Sequence, residues 1–332
     1  MIMGKEGERL SRRATIEVMN RFAWEQIPFV FLISFSGEGN MVLSPEEASD
    51  LGMFLEMPGL VNHSFKARSD QAIELSKKSV DRKLYHQAFT HVVGQIHYGN
   101  SFLLNLTCPT AIETNYSLRD IFSGSRARYK LLLENELVIF SPERFIRIHG
   151  DTISSNPMKG TINANLPGAY NLLTSDQKEH AEHNTIVDLI RNDLSTIASN
   201  VRVKRFKYIE RLRTNQGELL QMSSEITGKL PPDFRSALGE NLFKLLPAGS
   251  ICGAPKKKTL EIIRQVEDYE RGYYTGVFGH FDGENLDSAV AIRFIERQEE
   301  KMVFKSGGGI TFQSNWEKEY EEMQNKVYVP IY

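Results

Sequence analysis

In the segment EHAEHNTIVDLIRNDLSTIA, helical spacing puts Glu182 on one stripe with Ile186, Leu189 and Ile190, and Asp193 falls there too. A carboxylate turned toward a core needs a cation or several hydrogen bonds, because an isolated buried charge is costly and tends to protonate. A structural pair with Arg191 or a nearby lysine is one answer. Near the C-terminus WEKEYEEMQNKV repeats the pattern, with Glu319 and Glu322 one helical turn apart, where like charges repel. A solvated acidic face tolerates that spacing. So does an oxygen-preferring divalent ion held by both residues together with Glu182, and magnesium suits such a site.

Other segments have the residue types that receive small anions. PAGSICGAPKKKTLEII sets Gly249, Ser250 and Gly253 before Pro255, a residue favoured at the first helical position. Free backbone N–H groups there would cradle a carboxylate, although an ordinary glycine-rich turn has the same composition. In KSGGGIT the run Gly307, Gly308 and Gly309 costs too much chain entropy for a strand end unless the backbone must approach something closely. Arg293 interrupts the apolar alternation of AVAIRF, where a guanidinium seeks a carboxylate from a ligand or from a core ion pair. Lys159, between a proline turn and Gly160 in NPMKGT, reads locally as an exposed lysine.

These residues need strands and helices to hold them. PFVFLISF, SGEGN and MVLS read as strand, turn and strand. From about Leu75 to Tyr98 the positions Tyr85, Phe89, Val92 and Ile96 form a helical stripe ended by Gly99 and Asn100, and SFLLNLT then looks extended. Tyr129 to Ser154 alternates short apolar runs with turn residues, as an antiparallel meander does. Helical periodicity returns from Ser175 to Ile197, MVFKS enters the triple glycine as a last strand, and a helix follows from roughly Trp316 to Val327. Strands grouped in hairpins with helices between the groups predict an α+β fold, read here as one domain over 1–332.

Composition narrows the function classes. The 332 residues are 41% hydrophobic and 25% charged, as in a globular protein, and a formal net charge of −2 argues against nucleic-acid binding. Two cysteines, Cys108 and Cys252, are too few for a disulfide framework and lack zinc spacing, which predicts a reducing, cytoplasmic setting. The longest apolar run, Phe29 to Phe35, is far short of a membrane span.

Taken in order, NLT, SPERF, PMKGT, AEHNTIVDLIRNDL, PAGSICGAPKKKTLEII, YTGVFGHF, AIR, SGGGI and EKEYEEMQNK resemble the chorismate-utilising enzyme family, from about His97 to the C-terminus. Residues before about Leu75 match loosely and form a shortened N-terminal part. The resemblance implies two stacked antiparallel β-sheets flanked by helices, with the site between the sheets. PMKGT is similar to the PIKGT of the branch making aminodeoxychorismate for p-aminobenzoate and folate; anthranilate synthases have PIAGT. It implies that Lys159 attacks C2 of chorismate, that Glu143 of SPERF protonates the departing C4 hydroxyl, and that ammonia then adds at C4. Such a lysine needs a depressed pKa, expected from burial and the metal. The ligands implied for Mg2+ are Glu182, Glu319 and Glu322. The substrate contacts implied are Arg293, Tyr274, Gly307, Gly308 and Gly309, with Ser250, Cys252, Lys256 and Thr161 beside them.

Relatives that add water have a lysine base where this chain has Leu103, which cannot activate water. Departures from the aminating pattern are Leu103 itself, Cys252 for a threonine, and Phe294 for the threonine usual after Arg293. Neither cysteine has a partner histidine in its local sequence, so ammonia is expected from a separate glutamine amidotransferase subunit. Anthranilate formation and a catalytically silent chorismate-binding protein are the alternative readings.

Overall fold

The computed structural model describes residues 9–66, 72–175, 177–214 and 217–330. Strand Phe29–Ile33 illustrates how the sequence supports two cores at once. Side chains alternate across a strand, so Phe29, Phe31 and Ile33 enter one apolar cluster while Val30 and Leu32 enter another. All five are buried, which accounts for the unbroken apolar run. Each such side chain contributes about 1.5–3 kcal/mol by leaving water.

Among the described residues, two antiparallel sheets of nine strands each organise the fold. Along the first, the order is Met158–Asn163, Gly217–Lys229, Thr152–Ser155, Arg144–His149, Leu286–Val290, Val277–Phe281, Phe29–Ile33 and Met41–Leu43, with Ser199–Thr214 pairing Gly217–Lys229. Along the second it is Gly253–Ala254, Leu103–Thr114, Lys301–Ile310, Phe294–Gln298, Leu137–Ser141, Tyr129–Leu133, Met53–Met57 and Leu60–Val61, with Leu75–Lys77 pairing Leu103–Thr114. Between the sheets lies the cluster that joins Val30, Leu32 and Phe278 to Tyr129, Leu131 and Phe294. The outer face of the first sheet packs on helices Arg12–Trp24, Gln177–Ser195 and Leu238–Leu245, which supply Met19, Val187 and Leu242. Helices Arg82–His97, Lys256–Val266 and Trp316–Asn325 cover the second through Tyr85, Ile262 and Met323. This is the expected α+β arrangement of stacked sheets flanked by helices. No helix among the described residues is long and apolar enough to cross a membrane.

The meander expected from Tyr129 to Ser154 is divided between the sheets. Its first hairpin, Tyr129–Leu133 with Leu137–Ser141, belongs to the second sheet, and its second, Arg144–His149 with Thr152–Ser155, to the first. Pro142 and Glu143 make the crossing. A second crossing, from Leu286–Val290 to Phe294–Gln298, passes through Ile292 and Arg293. The two crossings bond to each other: Val290 N–H donates to Glu143 O at 3.1 Å, and Phe140 N–H donates to Arg293 O at 3.1 Å. Glu143 and Arg293 are therefore delivered together to the gap between the sheets.

The helix expected from Leu75 begins at Arg82. Asp81 caps it by accepting from the N–H groups of Lys83 and Leu84, while Leu75–Lys77 pairs with Ile112–Thr114 as an edge strand. The long hairpin Ser199–Thr214 with Gly217–Lys229 has no counterpart in the sequence reading.

Candidate active site

A cavity of about 520 Å3 opens between the sheets, lined by Glu143, Lys159, Tyr274, Arg293 and the strand Ser306 to Gly309, among others. Each arrives by a local device. Gly160 has φ +70° and sits at a break in register, where Lys159 pairs Met222 but Thr161 pairs Gln221. Such a bulge re-aims the neighbouring side chain, and glycine supplies the left-handed backbone it needs. Lys159 thereby reaches the cavity instead of solvent, against its local sequence reading. Arg293 has φ +54°, a strained conformation for a residue with a Cβ, and among the described residues it has no ion-pair partner; its guanidinium lies 5.2 Å from the Tyr328 ring centre.

The glycine run forms part of strand Lys301–Ile310, paired with Leu103–Thr114. A Cβ on Gly307 would come 2.6 Å from Leu106 O, and one on Gly309 would stand 3.1 Å from Leu103 Cδ1 and 3.9 Å from Lys159 Nζ. The run is bare because backbone and lysine both approach it. Gly253 has φ +122°, and a Cβ there would meet Leu103 O at 1.9 Å. Glycine is therefore required where the Ser250 segment docks on strand Leu103–Thr114.

Lys159 Nζ donates to Glu182 Oε2 at 2.6 Å, so the buried carboxylate on the helical stripe pairs with this lysine and not with Arg191, which bonds Asp188. The pairing corrects the expected pKa. Burial pushes the Lys159 amine down, but the carboxylates of Glu182, Glu179 and Glu322 together outweigh it, and the net shift is upward. Glu143 moves the other way from an ordinary carboxylate: burial raises its pKa, and the Ser250 hydroxyl, donating at 2.6 Å, with Lys159, Arg293 and Lys326 nearby, offsets only part of that. The cavity thus presents a protonated amine and a carboxyl held toward its neutral form.

Cys252 and Lys256 lie outside the lining. Cys252 is fully buried in the apolar cluster under strand Leu103–Thr114. Lys256 Nζ pairs with Asp193 at 2.8 Å and donates to Leu245 O at 2.7 Å, tying the loop before Ser250 to the long helix. The expected substrate contact is in this structure a support. Lys256→Met is expected to lower the Tm, by the roughly 1–3 kcal/mol lost when a largely buried Asp193 loses its partner; thermal denaturation beside chorismate titration checks it, the KM for chorismate staying unchanged. Thr161 continues its strand, and its side chain is outside the described residues.

Residues not singled out from sequence join the site. Lys326, four residues after Glu322 on the same helical face, pairs with it at 2.8 Å and donates to Gly307 O at 2.8 Å. Burial lowers its pKa. Glu179, three residues before Glu182, lines the cavity with Gln221 and Asn105. Both signals were present as i, i+3 and i, i+4 spacings. Behind Tyr274, the buried Arg271 pairs with Glu267 at 2.6 Å and donates to Asn105 O at 2.7 Å, while Lys305 bonds the carbonyls of Glu270 and Arg271.

The carboxylates Glu179, Glu182, Glu319 and Glu322 are the hard oxygen donors that magnesium prefers. They are not gathered into a coordination shell: among the described residues no group of three or more His, Cys, Asp or Glu is positioned to hold a metal ion. Lys159 occupies Glu182, Lys326 occupies Glu322, and the Ser314 hydroxyl donates to Glu319 at 2.7 Å. The donor chemistry fits the ion, and the glycine run approaches two of these carboxylates: a Cβ on Gly308 would be 3.4 Å from Glu319 Oε2 and one on Gly309 4.0 Å from Glu182 Oε2.

The family model for chorismate binding enzymes matches residues 38–331, reaching well upstream of the motifs. The chain belongs to this family. A PabA-like protein of Haemophilus influenzae, itself uncharacterized, is 49% identical over 316 residues, covering 95% of this chain and 96% of that one. Anthranilate synthase component 1 of Spirochaeta aurantia is 35% identical over 234 residues, 68% of this chain and 47% of that one. Among solved structures, the 2,3-dihydroxybenzoate-specific isochorismate synthase DhbC of Bacillus anthracis superposes with a TM-score of 0.72 at 19% identity, covering 96% of this chain and 88% of that one, a likeness of fold. The chain is accordingly a chorismate-utilising enzyme.

Proposed function

We propose that this chorismate-binding enzyme aminates chorismate at C4, forming 4-amino-4-deoxychorismate as aminodeoxychorismate synthase component I for p-aminobenzoate and folate synthesis. The observation that carries the reading is Lys159: an amine that lines the cavity from the strand after the Pro157 turn, in the same cavity as Glu143, a raised-pKa carboxyl. Lys159 gives up its proton and its nitrogen bonds C2 of chorismate. The ring electrons shift, and the C4 hydroxyl departs as water with the proton of Glu143. Ammonia then bonds C4, the electrons return, and the Lys159 amine leaves C2. A covalent step divides one difficult displacement into two easier ones. Arg293 and the backbone of Gly307 to Gly309 hold the enolpyruvyl carboxylate. Magnesium, bound by Glu182, Glu319 and Glu322, would neutralise the ring carboxylate.

Leu103 in the cavity wall supports amination over hydration, because it offers no base for water. A separate glutamine amidotransferase supplies the ammonia in this reading. Burial pushes the thiols of Cys108 and Cys252 up to about 12 and about 11, far from the thiolate a glutaminase needs. Incubation with chorismate, magnesium and ammonium is expected to give aminodeoxychorismate, detected as p-aminobenzoate once a lyase is added. Fluorescent anthranilate, or chorismate bound without turnover, overturns the reading, and glutamine hydrolysis by the purified chain alone overturns the separate subunit.

A further inference from the structure

Glu143 comes from the crossing that leads into the first sheet and Lys159 from strand Met158–Asn163 of that sheet, and a proton donor and a nucleophile acting on one ring must keep a fixed separation. One side chain outside the cavity lining bonds to the segments that set it. Arg144 follows Glu143 directly, and its side chain is 12% exposed. Its Nε donates to the Tyr129 hydroxyl at 2.9 Å and to Asp287 Oδ1 at 3.3 Å, and the same hydroxyl donates to Asp287 at 3.1 Å. Its Nη1 donates to Asn156 Oδ1 at 2.9 Å. Tyr129 belongs to the second sheet, Asp287 to the strand beside Arg144, and Asn156 to the link that leads through Pro157 into Lys159. A guanidinium presents its donors in a rigid planar fork, so these three contacts fix three segments relative to one another.

We infer that Arg144 is a positioning residue, which with Tyr129, Asp287 and Asn156 sets the separation of the Glu143 carboxyl from the Lys159 amine. The inference rests on the roles of acid and nucleophile proposed above for those two groups. Arg144 touches no reacting atom; it acts through where Glu143 and Lys159 stand. Stability alone does not account for the arrangement, because a buried ion pair is weakly stabilising at best compared with apolar packing. What the arrangement specifies is a distance, and a shift of about 1 Å between reacting groups can cost about 10²-fold in rate.

A double-mutant cycle tests it in the full chain. Asn156→Ala removes the link to the lysine strand and leaves the Arg144–Asp287 pair in place, so it also serves where Arg144→Met fails to fold. Each variant is expected to lower kcat for chorismate consumption by roughly 10- to 100-fold with KM changed less than about threefold. The double variant is expected to be no slower than Arg144→Met, since both changes cut one connection. Arg144→Lys restores less than Arg144 because a single ammonium lacks the fork. A folded Asn156→Ala protein with unchanged kcat, or effects that multiply in the double variant, overturns the inference. A crystal structure of Asn156→Ala gives a second reading, the Glu143–Lys159 separation. A changed separation sustains the inference even where the wild-type protein turns over no chorismate, which would sink the proposed reaction instead, and an unchanged one overturns it.

Discussion

Lys159→Arg is expected to abolish most of the amination of chorismate while leaving the protein folded and able to bind its substrate. Arginine keeps a positive charge against Glu182, a carboxylate only 5% exposed that would otherwise lose its 2.6 Å partner. It cannot deprotonate, so it cannot attack carbon. Losing a nucleophilic or proton-transferring group lowers a rate by about 10²–10⁴-fold, and the larger end applies if no other amine substitutes. Lys326 is the nearest candidate, with its pKa lowered by burial, but it is tied to Glu322 and Gly307 O. Rapid-quench turnover with ammonium, beside intact-mass measurement of a chorismate adduct less water, separates the outcomes. Wild-type protein trapped during turnover should show the adduct and Lys159→Arg should not; a variant turning over at the wild-type rate removes the covalent mechanism.

The raised pKa of Lys159 adds a condition to this result. In the cavity as described, the amine is an ammonium ion clamped by Glu182, and the lowering by burial is outweighed by that contact together with the nearby Glu179 and Glu322. The sequence could not foretell it, because the pairing depends on the Gly160 bulge, and a bulge is a register event between strands distant in sequence. Glu182 itself was legible: its place on an apolar stripe demanded a cation or several hydrogen bonds, and which of these it takes was left open.

The same division holds across the fold. Strands such as Phe29–Ile33 and helices such as Arg82–His97 follow from local period and capping. The sheet exchange at Pro142–Glu143 does not, since both hairpins of the meander are short apolar-containing runs separated by turn residues and nothing local says that they join different sheets. The long hairpin from Ser199 escaped for a related reason: RVKRFKYIERLRT is polar on most positions, and three breaks in register disturb its alternation. Lys256 shows a contact that its motif did not foretell. Its motif pointed to the substrate, yet the side chain satisfies Asp193 on the neighbouring helix, an acidic position already marked by periodicity.

Glu143→Gln is expected to lower the rate by about 10²–10⁴-fold, the usual effect of removing a general acid, without harming the fold. The amide is nearly the same size, and its oxygen can still accept from the Ser250 hydroxyl. The pH dependence follows from the direction of the shift. A carboxyl whose folded pKa lies above its unfolded value contributes stability at low pH, which is lost as pH rises through the folded pKa, because the native protein then must ionise a buried acid. Gln does not ionise. The variant should therefore match or exceed the wild type in Tm above that pKa and lose its advantage below the ordinary carboxylate range. Activity runs in parallel: the acid works only when protonated, so kcat of the wild type should fall as pH rises through the same raised pKa, and in the variant that limb should vanish. Thermal melts and kcat–pH profiles on both proteins test the pair of expectations together. A variant that keeps the alkaline limb assigns the acid to another group, and one that is less stable at neutral pH shows that Glu143 is ionised and paired instead of poised as an acid.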